Sequence, residues 1–494
     1  MKPFIISLLV LITVSCSSPG YQGAEKATDQ LELYPDYADI MIPCNIAPIN
    51  FDVLSVSDRC YVEMSGGDKT FILRGPKVRI PERIWHKMLA EAKGSCISFK
   101  VFVKRDGKWL QYAPFTYTVA QESIDSYLTY RLIEPGYSNY GYLVLRQRDL
   151  SSFKERDLYN NALVSERVEQ QCINCHSFQN YNPDTFQFHA RHTNGGTIIV
   201  TGDKVTKVNF MTGDMISNPV YPSWHPQENL IAYSLNSTSQ LFVAKGNQKV
   251  EVYDTKSDLV LYDVDKEETS YIVRDSLSLE TFPYWSADGK TLFYASAYLP
   301  DFGADPSTDL SMITGKIRYN IWSIGFNPRT REFGTPALVF DAESDSLSAV
   351  TPRPSPDGRY LLSGVGSYGS FHVWHESGDI YLTDLETGIT RPLDEINSPR
   401  AESFKSWSSN SRWIAFTSRR DDGSYTRIYL AYFDAEGNAH KPFLLPQRDP
   451  DQNRRFFKSY NVPEFTTGKS SWTPKRIEMI IHSDPHQAGL FSNE

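Results

Sequence analysis

The sequence predicts an all-β chain, with a small β-sandwich followed by a long array of repeated hairpin units. Three observations lead there. The 494 residues include 29 Tyr, 27 Phe and 9 Trp, which favour strands, and 29 Gly and 29 Pro, which favour turns. Segments such as Phe115-Thr116-Tyr117-Thr118-Val119 alternate with period two. A unit of Pro, Trp and an Asp-Gly or Asn-containing turn between apolar runs recurs through the second half. The length accommodates two or three domains. Lys and Arg number 50 against 59 Asp and Glu, a net charge of −9 without a basic block. That balance argues against nucleic acid, and against electrostatic docking on an anionic membrane surface.

The chain begins with Lys2 and an apolar run over residues 4–14, interrupted only by Ser7 and Thr13. Spanning a bilayer takes about 20 apolar residues, so this run fits a secretory signal over residues 1–15. Ser15-Cys16 then precedes Ser17-Ser18-Pro19-Gly20. A cysteine after small residues at this place resembles the lipobox of bacterial lipoproteins. The resemblance implies cleavage before Cys16 and lipidation of its thiol. It also implies a membrane anchor, expected at the outer membrane facing the periplasm. Residues 16–36 have few apolar anchors and read as a tether.

Residues 37–120 show short strands around Val62-Glu63-Met64, Thr70-Phe71-Ile72-Leu73, Ile97-Ser98-Phe99-Lys100-Val101-Phe102-Val103 and 115–119. One helix is expected from Pro81, with proline in its first turn. The reading is a small β-sandwich, immunoglobulin-like. Cys44, Cys60 and Cys96 lie here or nearby; three thiols read as buried structural cysteines or as one bridge with one left over.

At Cys172-Ile173-Asn174-Cys175-His176 two thiols stand three residues apart with a histidine directly after. This reads as a c-type haem attachment site. On one helical turn both sulfurs would reach the two vinyl groups of a porphyrin edge, and His176 would ligate the iron. A redox-active dithiol and a zinc site are the rivals. Zinc draws on His189-x-x-His192, thirteen residues beyond Cys175. In an exported chain a free dithiol does not stay reduced, and haem attachment converts both thiols to thioethers. In the resembling family of bacterial cytochromes c, haem is attached outside the inner membrane.

From residue 178 onward the repeat appears. Tyr221-Pro222-Ser223-Trp224, Phe282-Pro283-Tyr284-Trp285, Pro354-Ser355-Pro356-Asp357-Gly358 and Ser406-Trp407-Ser408 each open an apolar run, and Ser471-Trp472-Thr473-Pro474 reads as a fainter copy. Ser177-Phe178 aligns with Ser223-Trp224, so the CxxCH segment, residues 171–192, enters the first unit. These units resemble the TolB-like β-propeller repeat over about 178–485. The resemblance implies a propeller over 193–494, and the unit starts count six blades, with seven as the alternative. The last unit runs out of strands. The connector at 121–170 offers Leu128-Thr129-Tyr130-Arg131-Leu132-Ile133 and Tyr142-Leu143-Val144-Leu145-Arg146-Gln147 to complete it.

For a second iron ligand, His189 is expected first, with His192, Met211 and Met215 as alternatives. Lipoprotein start, β-domain, CxxCH and repeats together resemble a group of cytochrome-related propeller lipoproteins of Gram-negative bacteria. The expected function is covalent haem binding with electron transfer, or redox or ligand sensing, beside redox or assembly partners in the envelope. The alternative is a non-redox scaffold, TolB-like, binding protein or glycan, with the CxxC as a zinc or disulfide clip. There is no Gly-x-Ser-x-Gly and no phosphate-binding Gly-rich loop, so a peptidase-like use of the propeller is unsupported; an electron carrier or binding protein is expected, with an enzyme acting on a glycan or peptide in the funnel as a third reading. The propeller funnel remains a surface for a glycan or peptide.

Overall fold

The computed structural model describes residues 20–55, 59–134, 141–164, 171–213, 215–243, 248, 250–299 and 315–490. The signal segment and Cys16 lie outside the described residues.

The N-terminal part is built on two sheets. The larger joins Glu25–Lys26, Lys108–Gln111, Cys96–Arg105, Phe115–Val119 and Ile40–Ile42, with Arg59–Gly66 and Lys69–Gly75 beside them; the smaller joins Leu33–Tyr34, Phe51–Val53 and Lys77–Val78. The helix Glu82–Ala92 starts after Pro81 and buries Trp85, Met88, Leu89 and Ala92. Those positions follow the i, i+3, i+4, i+7 spacing of one helical face. The segment read as a tether is packed from Tyr21 onward. The Tyr21 ring stacks on Phe102 at 4.1 Å, and Glu25–Lys26 pairs in parallel with Leu110 and Gln111.

The rest is a β-propeller of antiparallel meanders. Among the described residues the innermost strands are Gln171–Phe178, Pro219–Trp224, Ser278–Trp285, Ser348–Pro354, Glu402–Trp407 and Ser459–Thr466. Each lies against the next, and the last against the first, so they form a ring around an axis. Three further strands follow each inner strand outward in chain order, except that two short strands, Glu332–Phe333 and Ala337–Phe340, share the outer edge of the third meander, and except in the last meander. There, Ser459–Thr466 pairs with Tyr127–Ile133, which pairs with Val144–Asp149 and then Glu155–Asn160. The chain's early connector and its C-terminal strand therefore share one sheet.

Serine and Asp or Asn side chains set the turns after the inner strands. The Ser355 hydroxyl donates to Asp357 Oδ1 at 2.5 Å and accepts from the Tyr360 amide at 2.9 Å. Ser286 with Asp288, and Ser408 with Asn410, make the same serine-to-acceptor bond at 2.6 Å. Gly289 and Gly358 take positive φ at the turn.

The faint copy at 471–481 is not a strand pair. Trp472 is buried, but Pro474–Ile481 is a helix with Pro474 in its first turn and Ile477 and Ile481 buried. Proline at N1 and apolar residues four apart favour a helix over a period-two strand.

Candidate functional site

Each inner strand breaks register at one bulge. The residue at each bulge is Cys175, Tyr221, Phe282, Thr351, Phe404 or Val462, and all six have positive φ, between 26° and 54°. All six line one axial cavity of about 330 Å³, within the size range of small-molecule sites. A bulge re-aims side chains that a regular strand would place alternately on opposite faces. Left-handed backbone at a non-glycine residue is unfavourable, and it persists where surrounding structure enforces it. The six equivalent bulges are such a case.

The CxxCH motif lies on the strand Gln171–Phe178, not on the helical turn expected for it. The repeat imposes the strand, and the bulge between Asn174 and Ser177 changes the face on which side chains emerge. Cys172, Cys175 and His176 consequently all line the same cavity. His176 takes the place held by Pro222, Pro283, Pro352 and Pro463 in four of the other inner strands.

His176 is 4% exposed, and its Nε2 has no hydrogen-bond partner. Burial, with the Arg131 charge second, pulls its pKa down to about 3. The ring is neutral at physiological pH and presents a lone pair, as a metal ligand must. Burial raises the Cys172 thiol, partly offset by Arg131 and Arg191. That is the opposite of the lowered pKa of a redox-active dithiol. All five described cysteines are free. Cys60 is buried, and burial lifts its thiol to about 12. Cys44 is half-buried and Cys96 exposed, so of the three only Cys60 has the buried setting expected.

The histidines and methionines considered as second ligands are placed elsewhere. His189 sits opposite Asn174 in the sheet. Its Nδ1 is 2.9 Å from the Thr197 hydroxyl, and it does not line the cavity. Met211 is 49% exposed, Met215 is buried in a different core cluster, and His192 is exposed at the strand end. Among the described residues no three His, Cys, Asp or Glu side chains gather as a metal-binding set.

The residues fit a covalently held haem in chemical kind. Two thiols and an imidazole nitrogen without a partner share one cavity wall, and Arg131, Arg191 and Arg353 line the same space. Sequence reasoning gives the arginines no role in the site. Their signal is an arginine inside an apolar strand run, as in Tyr130-Arg131-Leu132-Ile133.

Fold and site define a class: a β-propeller whose axial cavity carries a CxxCH motif. No protein-family model matches the chain, and no curated protein matches it. Among solved structures it is similar to TolB from Acinetobacter baumannii, at 12% identity and a TM-score of 0.41, covering 85% of this chain and 100% of that one. It is also similar to Kuenenia stuttgartiensis hydrazine synthase, at 12% identity and a TM-score of 0.31, covering 52% of this chain and 63% of that one. A puromycin-hydrolyzing peptidase of Mycobacterium tuberculosis is a third, at 10% identity and a TM-score of 0.36, covering 62% and 45%. Among the described residues no helix is long and apolar enough to cross a membrane.

Proposed function

We propose that the protein is a c-type cytochrome-like propeller of the bacterial envelope, with haem attached through Cys172 and Cys175 and ligated by His176. The observation that carries this reading is the convergence of both thiols and the unpartnered His176 Nε2 on one axial cavity. The two sulfurs would hold the porphyrin edge, the imidazole would ligate the iron, and the ring of bulge residues would exclude water from the site. Haem, when bound, supplies a one-electron couple and an iron position for a small ligand. His189 and Met211 do not line the cavity, so His176 is the residue that would hold the iron. The haem would serve electron transfer to an envelope redox or assembly partner, or redox or ligand sensing.

The architecture belongs to the same reading: a propeller of six blades, one for each bulged inner strand, behind an immunoglobulin-like sandwich. The lipid on Cys16 would tether it to the outer membrane on the periplasmic side. The test is a pyridine haemochrome spectrum and intact mass of the chain matured with a cytochrome c assembly system. One covalent haem is expected in the unmutated protein and none in C172A/C175A. A colourless, unmodified wild-type protein rejects the reading. One bound zinc, or a disulfide between residues 172 and 175, in that sample selects the non-redox scaffold instead.

A further inference from the structure

We propose that the axial cavity is a carboxylate-binding site, in which Arg131, Arg191 and Arg353 hold the anionic groups of an organic di- or tricarboxylic acid. This does not rest on haem attachment and makes its own demand on the site.

The lining of the cavity includes three guanidinium groups and no Asp or Glu, in a chain of net charge −9. A buried amine, Lys405, stands just behind, and its Nζ donates to the lining Thr351 hydroxyl at 2.6 Å. Among the described residues none of the four makes an ion pair. Arg131 donates to the Ile173 carbonyl at 2.9 Å and to Asn461 Oδ1 at 3.0 Å. Its Nε, also buried, has no partner. Arg353 donates to the Pro352 carbonyl at 2.8 Å and lies 4.2 Å over the Tyr284 ring. Arg191 is exposed.

Every acceptor here is neutral. The one carboxylate whose charge acts on Arg353 is Glu464, and burial lifts its pKa to about 8. Burial draws it toward its protonated form, which weakens its hold on the arginine. Burial, and then the Arg353 charge, push Lys405 well below the ordinary lysine range. Arg131 is buried and Arg353 half-buried, a charge without a counter-charge is costly where it is desolvated, and a bound anion relieves that cost. Guanidinium groups match carboxylates in a planar, two-bond geometry.

The placement of the arginines speaks to the ligand. Arg191 comes from the first meander, Arg131 from the last, and Arg353 from the fourth, across the ring. Cations on opposite walls suit a molecule with at least two anionic groups. The same lining includes Val220, Tyr221, Phe282, Phe371 and Phe404, which suit the carbon body of an organic acid over a fully hydrated inorganic ion. Two sources share this chemistry, the propionates of a porphyrin and a free di- or tricarboxylate.

The test uses the full chain as C172A/C175A, which removes covalent attachment. Its probes are metal-free mesoporphyrin, the dimethyl ester of mesoporphyrin, citrate and inorganic phosphate, followed by calorimetry and fluorescence. Mesoporphyrin or citrate is expected to bind one to one, with affinity falling as salt rises. The diester, if mesoporphyrin is the ligand, and R191Q for either ligand should each weaken binding at least about tenfold, the worth of a charge-assisted hydrogen bond. Because Arg191 is exposed, that variant keeps the fold, which circular dichroism and a melt check. Displacement of mesoporphyrin by citrate, or binding of citrate alone, assigns a free acid; mesoporphyrin binding that citrate does not displace assigns the propionates. The proposal is overturned if no carboxylate probe binds, if phosphate binds as tightly as either, if the diester binds as well as the diacid, or if R191Q/R353Q binds like its parent. The haemochrome measurement on unmutated protein is independent of all these outcomes.

Discussion

Glu464 stands two residues beyond the bulge of its inner strand, where Ser177, Ser223 and Ser406 stand in three of the others. Its Oε1 accepts the Phe178 amide at 3.0 Å, yet burial dominates and holds its pKa at about 8 against an ordinary 4.5. Between those two values the folded chain binds more protons than the unfolded chain, so this residue's contribution makes stability fall as pH rises, levelling off above about 8. Glu464→Gln keeps the acceptor oxygen and removes the titration. The melting temperature of the variant relative to wild type should therefore climb from pH 5 to pH 8. A difference that stays flat or shrinks over that range would show that Glu464 is ionised in the folded protein. At this scale the sequence was only partly readable. Cys172, Cys175 and His176 announce themselves by spacing. Arg353 and Glu464 look like ordinary surface charges until the ring closes around them, because their burial arises from strands far apart in the chain.

The bulged inner strand is the element that makes the site. The alignment of Ser177-Phe178 with Ser223-Trp224 already placed the motif in the repeat, and that alignment implies a strand where the spacing alone suggested a helical turn. The two readings conflicted, and tertiary context decided. At 474–481 the conflict ran the other way, because proline at the first turn and the Ile477–Ile481 spacing outweighed the resemblance to the repeat. A second element had no sequence signal. The hairpin Leu230–Phe242 with Val250–Asp263 extends well past its meander, and Thr238, Gln240 and Val252 from it wall the cavity. Its outer half is fastened by Glu251, 4% exposed, whose Oε2 lies 2.9 Å from His375 Nε2 and accepts the Tyr368 hydroxyl at 3.2 Å. Val250 and Val252 pack on Val373 and Trp374 beside it. His375→Phe keeps the ring and deletes the contact to the carboxylate, a loss of about 1–3 kcal/mol for a buried charged acceptor. Hydrogen exchange of the 250–257 amides should accelerate by about tenfold or more. Unchanged exchange there would mean that the apolar contacts alone hold the hairpin.

In the whole molecule the two parts are one body of core. A single buried cluster runs from Tyr37, Trp85 and Phe99 of the N-terminal sheets to Trp407, Trp413 and Phe465 of the propeller. Polar contacts follow the same seam. The Tyr37 hydroxyl donates to the Leu444 carbonyl at 3.0 Å, and Arg79 bridges Asp52 at 2.9 Å and Asp449 at 3.0 Å. A repeat that runs out of strands must find partners elsewhere in the chain, so ring closure is legible in the sequence. The seam is not, since each of its residues reads as an ordinary core or surface position of its own domain. Arg148 ties closure and seam together. It is 1% exposed on the strand Val144–Asp149, next to the closing strand. It donates to the Pro446 carbonyl at 2.8 Å and to Gln447 Oε1 at 3.2 Å, and pairs with Glu155 at 3.3 Å. Gln447 in turn offers its carbonyl to Asn50 of the N-terminal part at 3.5 Å. Arg148→Met preserves much of the volume while removing the donor to the Pro446 carbonyl and Gln447 Oε1, with Glu155 still held by Tyr130 and Arg146, at about 3 kcal/mol. Spread over a chain of this length, that loss lowers the melting temperature by about 3 °C. Because the core is shared, the wild-type chain should unfold in one calorimetric transition, and Arg148→Met should move that transition down without splitting it. Two resolved transitions in the wild type would show that sandwich and propeller unfold separately and that the buried seam contributes little to cooperativity.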